Sequence, residues 1–208
     1  MRVVAYVDGF NLYHAIDDLH QDHLKWMDLR AICQAFAPPP GCNLIQVYYF
    51  SAFATWRKSS FPRHRALVRA LEVTSVTPVM GRFKEKDREC FRCRHSWKDH
   101  EEKETDVNIA LYLLRGALQD HYDRALLVSG DSDLAPAVRA VKEVAPQKDI
   151  RIISPVGRDL SMELRHAAGG KKHCRRMQLI HLQRSLLPQR VCDRDGTEVA
   201  VRPAEYNP

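Results

Sequence analysis

Four aspartates in this sequence could together hold a metal: Asp8, Asp106, and the close pair Asp131 and Asp133. Carboxylates that are brought together repel one another unless a cation neutralises them. Their hard oxygen atoms suit Mg²⁺ or Mn²⁺, which retain water and bind substrate phosphate in the remaining positions. A metal held in this way can activate water and stabilise the leaving oxygen of a phosphodiester. The amide of Asn11 would orient Asp8 or contact phosphate.

Each of these residues also has an ordinary structural interpretation. Asp8 and Asn11 could cap a helix, and Asp133 could interact with the dipole of a first helical turn. Three separate acidic elements together favour a metal site over capping alone. A phosphatase with an aspartate nucleophile also begins with an Asp after its first strand. That chemistry needs a general acid two residues later, where this chain has Phe10.

The elements that must position these acids alternate between strands and helices. The apolar runs predict strands at residues 2–7, 44–50, 74–83, 125–129, 150–154 and 178–182. Helical patterns lie at residues 11–19, 28–36, 62–71, 105–118, 132–144 and 162–168. Parallel strands need helical crossovers, so this order predicts an α/β fold with a mostly parallel sheet covered on both faces. Sites in such sheets lie beyond the carboxyl ends of the strands, where Asp8 and Asp131 stand.

Three segments resemble the signature motifs of the NYN domain family, in its LabA-like branch. They are residues 7–12 (VDGFNL), 102–110 (EKETDVNIA) and 128–134 (VSGDSDL), within a resemblance that spans roughly residues 2–155. The resemblance implies a PIN-like Rossmannoid three-layer sandwich and metal-dependent ribonuclease activity. Carried over position by position, it implies Mg²⁺ or Mn²⁺ ligands at Asp8, Asp106 and Asp131, a fourth acid at Asp133, and polar neighbours at Asn11 and Ser129.

A cysteine pair precedes the long helix at residues 105–118. Cys90 and Cys93 form a Cys-x2-Cys zinc half-site, with His100 as the better third ligand and His95 or a distant residue as the fourth. Residues 87–101 would then form a small structural insertion resembling a zinc knuckle, chemically distinct from the carboxylate site. A redox pair normally opens a helix after a strand, which this pair does not. Two free cysteines in a loop is the remaining interpretation.

The chain is basic, with a formal net charge of +6, which favours a polyanionic partner such as nucleic acid. Cations and aromatic rings follow the predicted strands at the acidic edge, where they would hold flanking phosphates and stack on an unpaired base. The candidate nucleic-acid-binding residues are Arg57, Lys58, Arg63, Arg82, Lys84, Lys103, Ser129 and Trp56. Charge-rich loops are usually only solvated and tryptophan is often core, so the structural interpretation stays open for each of them.

These patterns predict a metal-dependent endoribonuclease, with a non-catalytic RNA-binding or adaptor module of the same fold as the alternative. We expect a domain at residues 1–182 and a C-terminal tail at residues 183–208. RNA is the expected partner, and a homo-oligomer is compatible with the sequence. No segment reads as a signal peptide or a membrane span, so we expect a cytoplasmic protein with reduced cysteines and no membrane association.

Overall fold

The computed structural model describes residues 1–208. Its elements in chain order are β1 (Arg2–Asp8), α1 (Gly9–Asp17), α2 (Leu29–Ala35), β2 (Asn43–Ser51), α3 (Ser60–Val73), β3 (Val76–Met80), β4 (Arg82–Glu89), β5 (Ser96–Lys103), α4 (Thr105–Leu118), β6 (Arg124–Val128), α5 (Ala135–Val144), β7 (Asp149–Ser154), α6 (Met162–Ala167), β8 (Cys174–Arg176), α7 (Leu179–Gln183), β9 (Arg190–Cys192) and β10 (Glu198–Val201). Six of the strands form one sheet in the order β3-β2-β1-β6-β7-β8, and every pair in it is parallel.

The central strand β1 separates two hydrophobic cores. Val3, Ala5 and Val7 belong to the core that contains α1, α2 and α3. Val4 and Tyr6 belong to the core that contains α4 and α5. Successive side chains of a strand point to opposite faces, so a strand buried on both faces reads as a continuous apolar run. The three-layer α/β architecture predicted from the sequence is confirmed.

A crevice opens beyond the carboxyl ends of two neighbouring strands, because the helices that follow them lie on opposite faces of the sheet. Strands β1 and β6 are neighbours, with Val7 paired to Val128 at their carboxyl ends. Helix α1 leaves β1 toward one core, whereas α5 follows β6 into the other core. Crossovers that depart to opposite faces leave a cleft between the two strand ends. Asp8 and Ser129 lie at this cleft.

The predicted strand at residues 74–83 is two elements. Val76–Met80 joins the sheet, and Arg82 begins an antiparallel hairpin of β4 and β5. Gly81 lies between them, and a Cβ there would approach the Lys103 carbonyl oxygen to 2.6 Å. The hairpin pairs Arg82 with Lys103 at its base and Glu89 with Ser96 near its tip. The insertion at residues 87–101 is therefore the outer part of a β-hairpin and not a compact knuckle.

The end of the chain also differs from the prediction. Residues 178–182 form most of helix α7 instead of a strand, and the last strand of the sheet is Cys174–Arg176. Residues 183–208, expected to be a tail, contribute Leu187, Val191 and Tyr206 to the first hydrophobic core. Their strands β9 and β10 pair with each other, and both contact α3. No helix has the length and apolar character needed to cross a membrane.

Candidate active site

Asp8 lies at the carboxyl end of β1 and caps the first turn of α1. Its Oδ1 accepts a hydrogen bond from the backbone N–H of Asn11 at 3.0 Å. Its Oδ2 accepts one from the Ser129 hydroxyl at 2.9 Å. Each carboxylate oxygen can accept two hydrogen bonds or a metal, so both retain capacity for another partner. Capping and metal binding are therefore compatible roles for Asp8.

Ser129 and Asn11 connect the ends of β1 and β6. The Ser129 hydroxyl donates to Asp8 and accepts a hydrogen bond from the Asp131 backbone N–H at 3.0 Å. The Asn11 side-chain oxygen accepts one from the Gly130 N–H at 2.8 Å. Ser129 is completely buried. The prediction that Ser129 binds nucleic acid stays a prediction, and in this structure its buried hydroxyl instead positions two acids.

The other two acids belong to separate elements. Asp131 caps the short 3-10 helix Ser132–Leu134, and its Oδ1 accepts a hydrogen bond from the Asp133 N–H at 2.9 Å. Asp106 lies in the first turn of α4. The side chain of Asp133 is exposed beside them. Four acids from three separate parts of the chain are thus delivered to one region by the ends of β1 and β6 and the start of α4.

The pKa values of Asp8 and Asp106 are raised, mainly by burial and further by the neighbouring carboxylates. Burial raises the pKa of Asp8 to about 6, and the charges of Asp106 and Asp131 add to the rise, against the hydrogen bonds from Asn11 and Ser129. Desolvation by surrounding protein atoms raises the pKa of Asp106, and the charges of Asp131, Glu102 and Asp133 raise it further. Carboxylates that raise one another's pKa are a place where a cation binds favourably.

The donor set fits a hard divalent cation shared with substrate. All the donors are carboxylate oxygens, which suit Mg²⁺ or Mn²⁺. No group of three or more His, Cys, Asp and Glu side chains is arranged to hold a metal by itself. Mg²⁺ ordinarily binds through one or two carboxylates and completes its coordination with water and substrate phosphate. One or two of the carboxylates of Asp8, Asp106 and Asp131 could therefore hold such a cation, with water and substrate phosphate as the other ligands.

Glu102 is a further acid that the sequence analysis did not single out. It lies on β5, and its Oε1 accepts hydrogen bonds from the backbone N–H and the hydroxyl of Thr105. This arrangement holds the start of α4, and with it Asp106. Glu102 lies in the segment 102–110, which resembles a signature motif of the family. That resemblance is the sequence signal that could have identified it.

A crevice of about 840 Å³ extends from the acids across the sheet edge. Asp8, Asp106 and Asp131 line it. Residues of α3, residues of the β4–β5 hairpin, and Tyr206 near the end of the chain line it as well. Because elements from the whole length of the chain enclose it, the crevice could not be read from any one motif.

Aromatic rings form one wall of the crevice. The Trp56 indole stacks on the His100 ring with centroids 3.7 Å apart, and it contacts the edge of Phe83 at 4.6 Å. Phe83 in turn meets Phe10 edge to face at 5.7 Å. All four rings line the crevice. Trp56 is partly exposed, so part of its indole faces solvent in the crevice.

A polar group deeper in the crevice surrounds His64. Its Nε2 lies 3.3 Å from the Tyr49 hydroxyl and 3.4 Å from the Ser51 hydroxyl. Burial lowers the pKa of His64 to about 4, so the ring is neutral at physiological pH. A neutral imidazole beside two hydroxyls donates and accepts hydrogen bonds without charge, which suits the edge of a heterocycle. His64 is not among the residues that the sequence pointed to, because its hydroxyl partners come from β2 and only the fold brings them together.

The predicted cationic rim is only partly assembled. Arg57 lines the crevice, and so does Arg158, which the sequence analysis did not select and which pairs with Asp18 at 2.5 Å. Arg63 is engaged elsewhere, because it pairs with Glu205 at 2.8 Å and lies over the Tyr206 ring. The remaining candidates do not line the crevice: Arg82 pairs with Glu104, Lys103 pairs with Glu101, and Lys58 and Lys84 are exposed on the surface.

The predicted zinc ligands are not brought together within one chain. His100 pairs with Glu85 in the hairpin register, five residues before Cys90, or roughly 17 Å away at a strand rise of ~3.4 Å per residue. Its ring faces the crevice and stacks on Trp56. The ring of His95 lies beside Trp97. His100 is therefore excluded as a partner of Cys90 and Cys93, since the hairpin holds it near the base.

Comparisons with known proteins agree with this architecture. A crystal structure of a protein of unknown function from Vibrio parahaemolyticus superposes with a TM-score of 0.56, covering 89% of this chain and 96% of that chain at 19% identity. The curated 6-hydroxy-3-succinoylpyridine 3-monooxygenase of Pseudomonas putida is 25% identical over 187 residues. That match covers 73% of this chain but only 58% of the length of the monooxygenase. The profile of the NYN domain matches residues 2–170, and the chain therefore belongs to the NYN domain family.

Proposed function

We propose that this chain is a metal-dependent endoribonuclease, of the LabA-like branch within the NYN family. The observation that carries the proposal is the convergence of Asp8, Asp106 and Asp131 at one end of an open crevice, at the switch point of a parallel sheet. Burial is the main cause of the raised pKa values of Asp8 and Asp106, and the neighbouring carboxylates add to the rise, so a divalent cation would relieve this cluster.

The residues of the chain would prepare the site in a simple way. The Ser129 hydroxyl fixes the Asp8 carboxylate, and the same oxygen accepts the Asp131 N–H, so the two acids keep a set relative position. Glu102 fixes the start of the helix that carries Asp106. When bound, Mg²⁺ or Mn²⁺ supplies a Lewis acid for the scissile phosphate and lowers the pKa of a water molecule.

The rest of the crevice would hold the RNA on either side of the cut. Trp56 offers a face for stacking an unpaired base, and neutral His64 offers hydrogen bonds to a base edge. Arg57 would contact a flanking phosphate. This arrangement favours single-stranded segments, because a base must leave its stack to enter the crevice.

The test is cleavage of a circular single-stranded RNA, which only an endonuclease can open. Purified protein is incubated with Mg²⁺, with Mn²⁺ or with EDTA, alongside a hairpin RNA and a DNA of the same sequence. We expect metal-dependent linearisation of the RNA circle and its loss in Asp131→Asn and in Asp106→Asn. Asp195→Asn, an exposed aspartate in the turn between β9 and β10, is the matched control and should cleave normally.

RNA binding is measured in the same variants by fluorescence anisotropy. Retained binding with lost cleavage in Asp131→Asn would support a catalytic role for that acid. Binding without any metal-dependent cleavage by the wild-type chain would refute the nuclease and favour the RNA-binding or adaptor module. The 25% identical monooxygenase acts, by its name, on a substituted pyridine, and the aromatic wall could accept such a ring. The carboxylate cluster beside that wall favours a phosphodiester substrate over a small aromatic one.

A further inference from the structure

The β4–β5 hairpin presents a cysteine pair at its outer end. Eight residue pairs separate the base of the hairpin from its tip, a length of roughly 25 Å at the usual rise per residue. Cys93 is exposed at this tip, and Phe91 between the two cysteines is 100% exposed. The tip therefore lies well away from the acidic crevice, with its thiols available to a partner.

The turn at the tip fixes the two thiols next to each other. The Cys90 N–H donates to the His95 carbonyl oxygen at 2.8 Å, and the Arg94 N–H donates to the Cys90 carbonyl oxygen at 2.9 Å. The backbone N–H groups of Arg92 and Cys93 and the Cys93 side chain are directed at the Cys90 sulfur. Backbone N–H groups directed at a sulfur stabilise the thiolate, which is the form that binds metal.

One chain supplies only these two ligands. No third His, Cys, Asp or Glu side chain is arranged with the pair to hold a metal. His100 is held near the base of the hairpin by its pairing with Glu85 and its stacking on Trp56. Structural zinc is four-coordinate and tetrahedral, so a two-thiol tip is half of such a site.

The arginines around the tip suit a negatively charged zinc complex with four thiolate ligands. Arg92 and Arg94 flank Cys93, and only Arg94 is paired, with Glu89 at 3.0 Å. A zinc ion with four thiolates carries a net charge of −2. Two tips brought together would surround that charge with the arginines of both chains.

We propose that Cys90 and Cys93 of two copies of this chain bind one zinc ion between their hairpin tips. If the two chains are related by a two-fold axis through the metal, each contributes two sulfur ligands. Together they complete the four ligands of a tetrahedral zinc site. The contact would also cover the two exposed Phe91 rings. The base of the same hairpin supplies Phe83 and His100 to the crevice, so the zinc-bound dimer would restrain one wall of each site. This inference does not depend on the chain being a nuclease.

The test measures zinc content and mass on the full chain, purified with a phosphine reductant and without chelator. We expect one zinc ion for every two chains, and a light-scattering mass of about twice 24.0 kDa that falls to the monomer when EDTA is added and recovers with Zn²⁺. Co²⁺ in place of Zn²⁺ should give the absorption of a tetrahedral tetrathiolate complex. The reductant excludes a disulfide as the cause of the dimer.

Variants identify the ligands. Cys90→Ser and Cys93→Ser should each lose zinc and remain monomeric with an unchanged melting temperature, because the tip is exposed. Cys192→Ser, an exposed cysteine elsewhere, is the matched control and should keep both zinc and dimer. His95→Ala should also keep both. One zinc per monomer, no zinc in the wild-type chain, or a dimer that persists in Cys90→Ser or in EDTA would each overturn the proposal.

Discussion

Replacing Asp8 by Asn should stabilise the folded chain at neutral pH while abolishing cleavage. Asp8 is only 4% exposed, and its pKa is raised from 3.8 to about 6. A carboxyl group with a raised pKa in the folded state binds its proton more tightly there, so its ionisation opposes folding. A rise of about two units corresponds to ~3 kcal/mol of folding free energy lost at pH 7.

The variant recovers most of this free energy. The Asn side-chain oxygen can still accept the Asn11 N–H, but its amide nitrogen cannot accept a hydrogen bond from the Ser129 hydroxyl. Losing that hydrogen bond costs ~1 kcal/mol. The expected net gain is ~2 kcal/mol, or an increase of roughly 4–8 °C in melting temperature for a chain of this size.

The raised pKa of Asp8 determines how the stability of the wild-type chain changes with pH. Between pH 3.8 and about 6 the folded wild-type chain binds more protons at Asp8 than the unfolded chain does. This residue therefore lowers stability as pH rises through that window, and the penalty is complete above it. The advantage of Asp8→Asn should grow over the same window and disappear below it.

The assay is urea unfolding followed by circular dichroism, in EDTA, at several values between pH 4 and pH 8. Asp195→Asn is the control for a generic charge change at an exposed position. A destabilised Asp8→Asn at pH 7, or a gain of the same size at pH 4 and pH 8, would refute the reasoning. Either result would mean that the buried carboxylate carries no ionisation penalty.

Further predictions concern the neighbours of Asp8. Burial lowers the pKa of His64 to about 4, so this residue lowers stability as pH falls from 6.5 through 4. His64→Gln should flatten that loss in urea titrations, and an unchanged slope would contradict it. Ser129→Ala should raise the Mn²⁺ concentration for half-maximal cleavage by ~10–100-fold, and an unchanged metal titration would argue against its positioning role. Gly9→Ala should lower the free energy of unfolding by ~1–3 kcal/mol, because a Cβ would lie 2.6 Å from a backbone oxygen of β2. Gly41→Ala, with no atom within 4 Å, is its control in the same unfolding assay. Trp56→Ala should weaken single-stranded RNA binding by ~1–3 kcal/mol in anisotropy titrations, and unaltered affinity would exclude stacking.

The hairpin shows where sequence reasoning fails for a physical reason. The strands β4 and β5 are rich in charged residues, and many of these are exposed to solvent. Neither strand therefore contains the apolar run that marks a buried strand in a sequence. Their stability comes from pairing with each other, which a local pattern does not reveal. The short apolar run at residues 178–182 is ambiguous in another way, since one helical turn and one short strand bury similar numbers of side chains.

The sequence by itself determined the sheet and the acids at its edge. Continuous apolar runs such as Val3–Val7 can be satisfied only between two layers, and the residue after each run must lie at the edge. Only the tertiary structure decided which side chains face the crevice. It buried Ser129, directed Arg63 to Glu205, and placed His64 beside Tyr49. Such pairings join residues far apart in the chain, and the packing of several elements fixes them, so no spacing along the sequence encodes them.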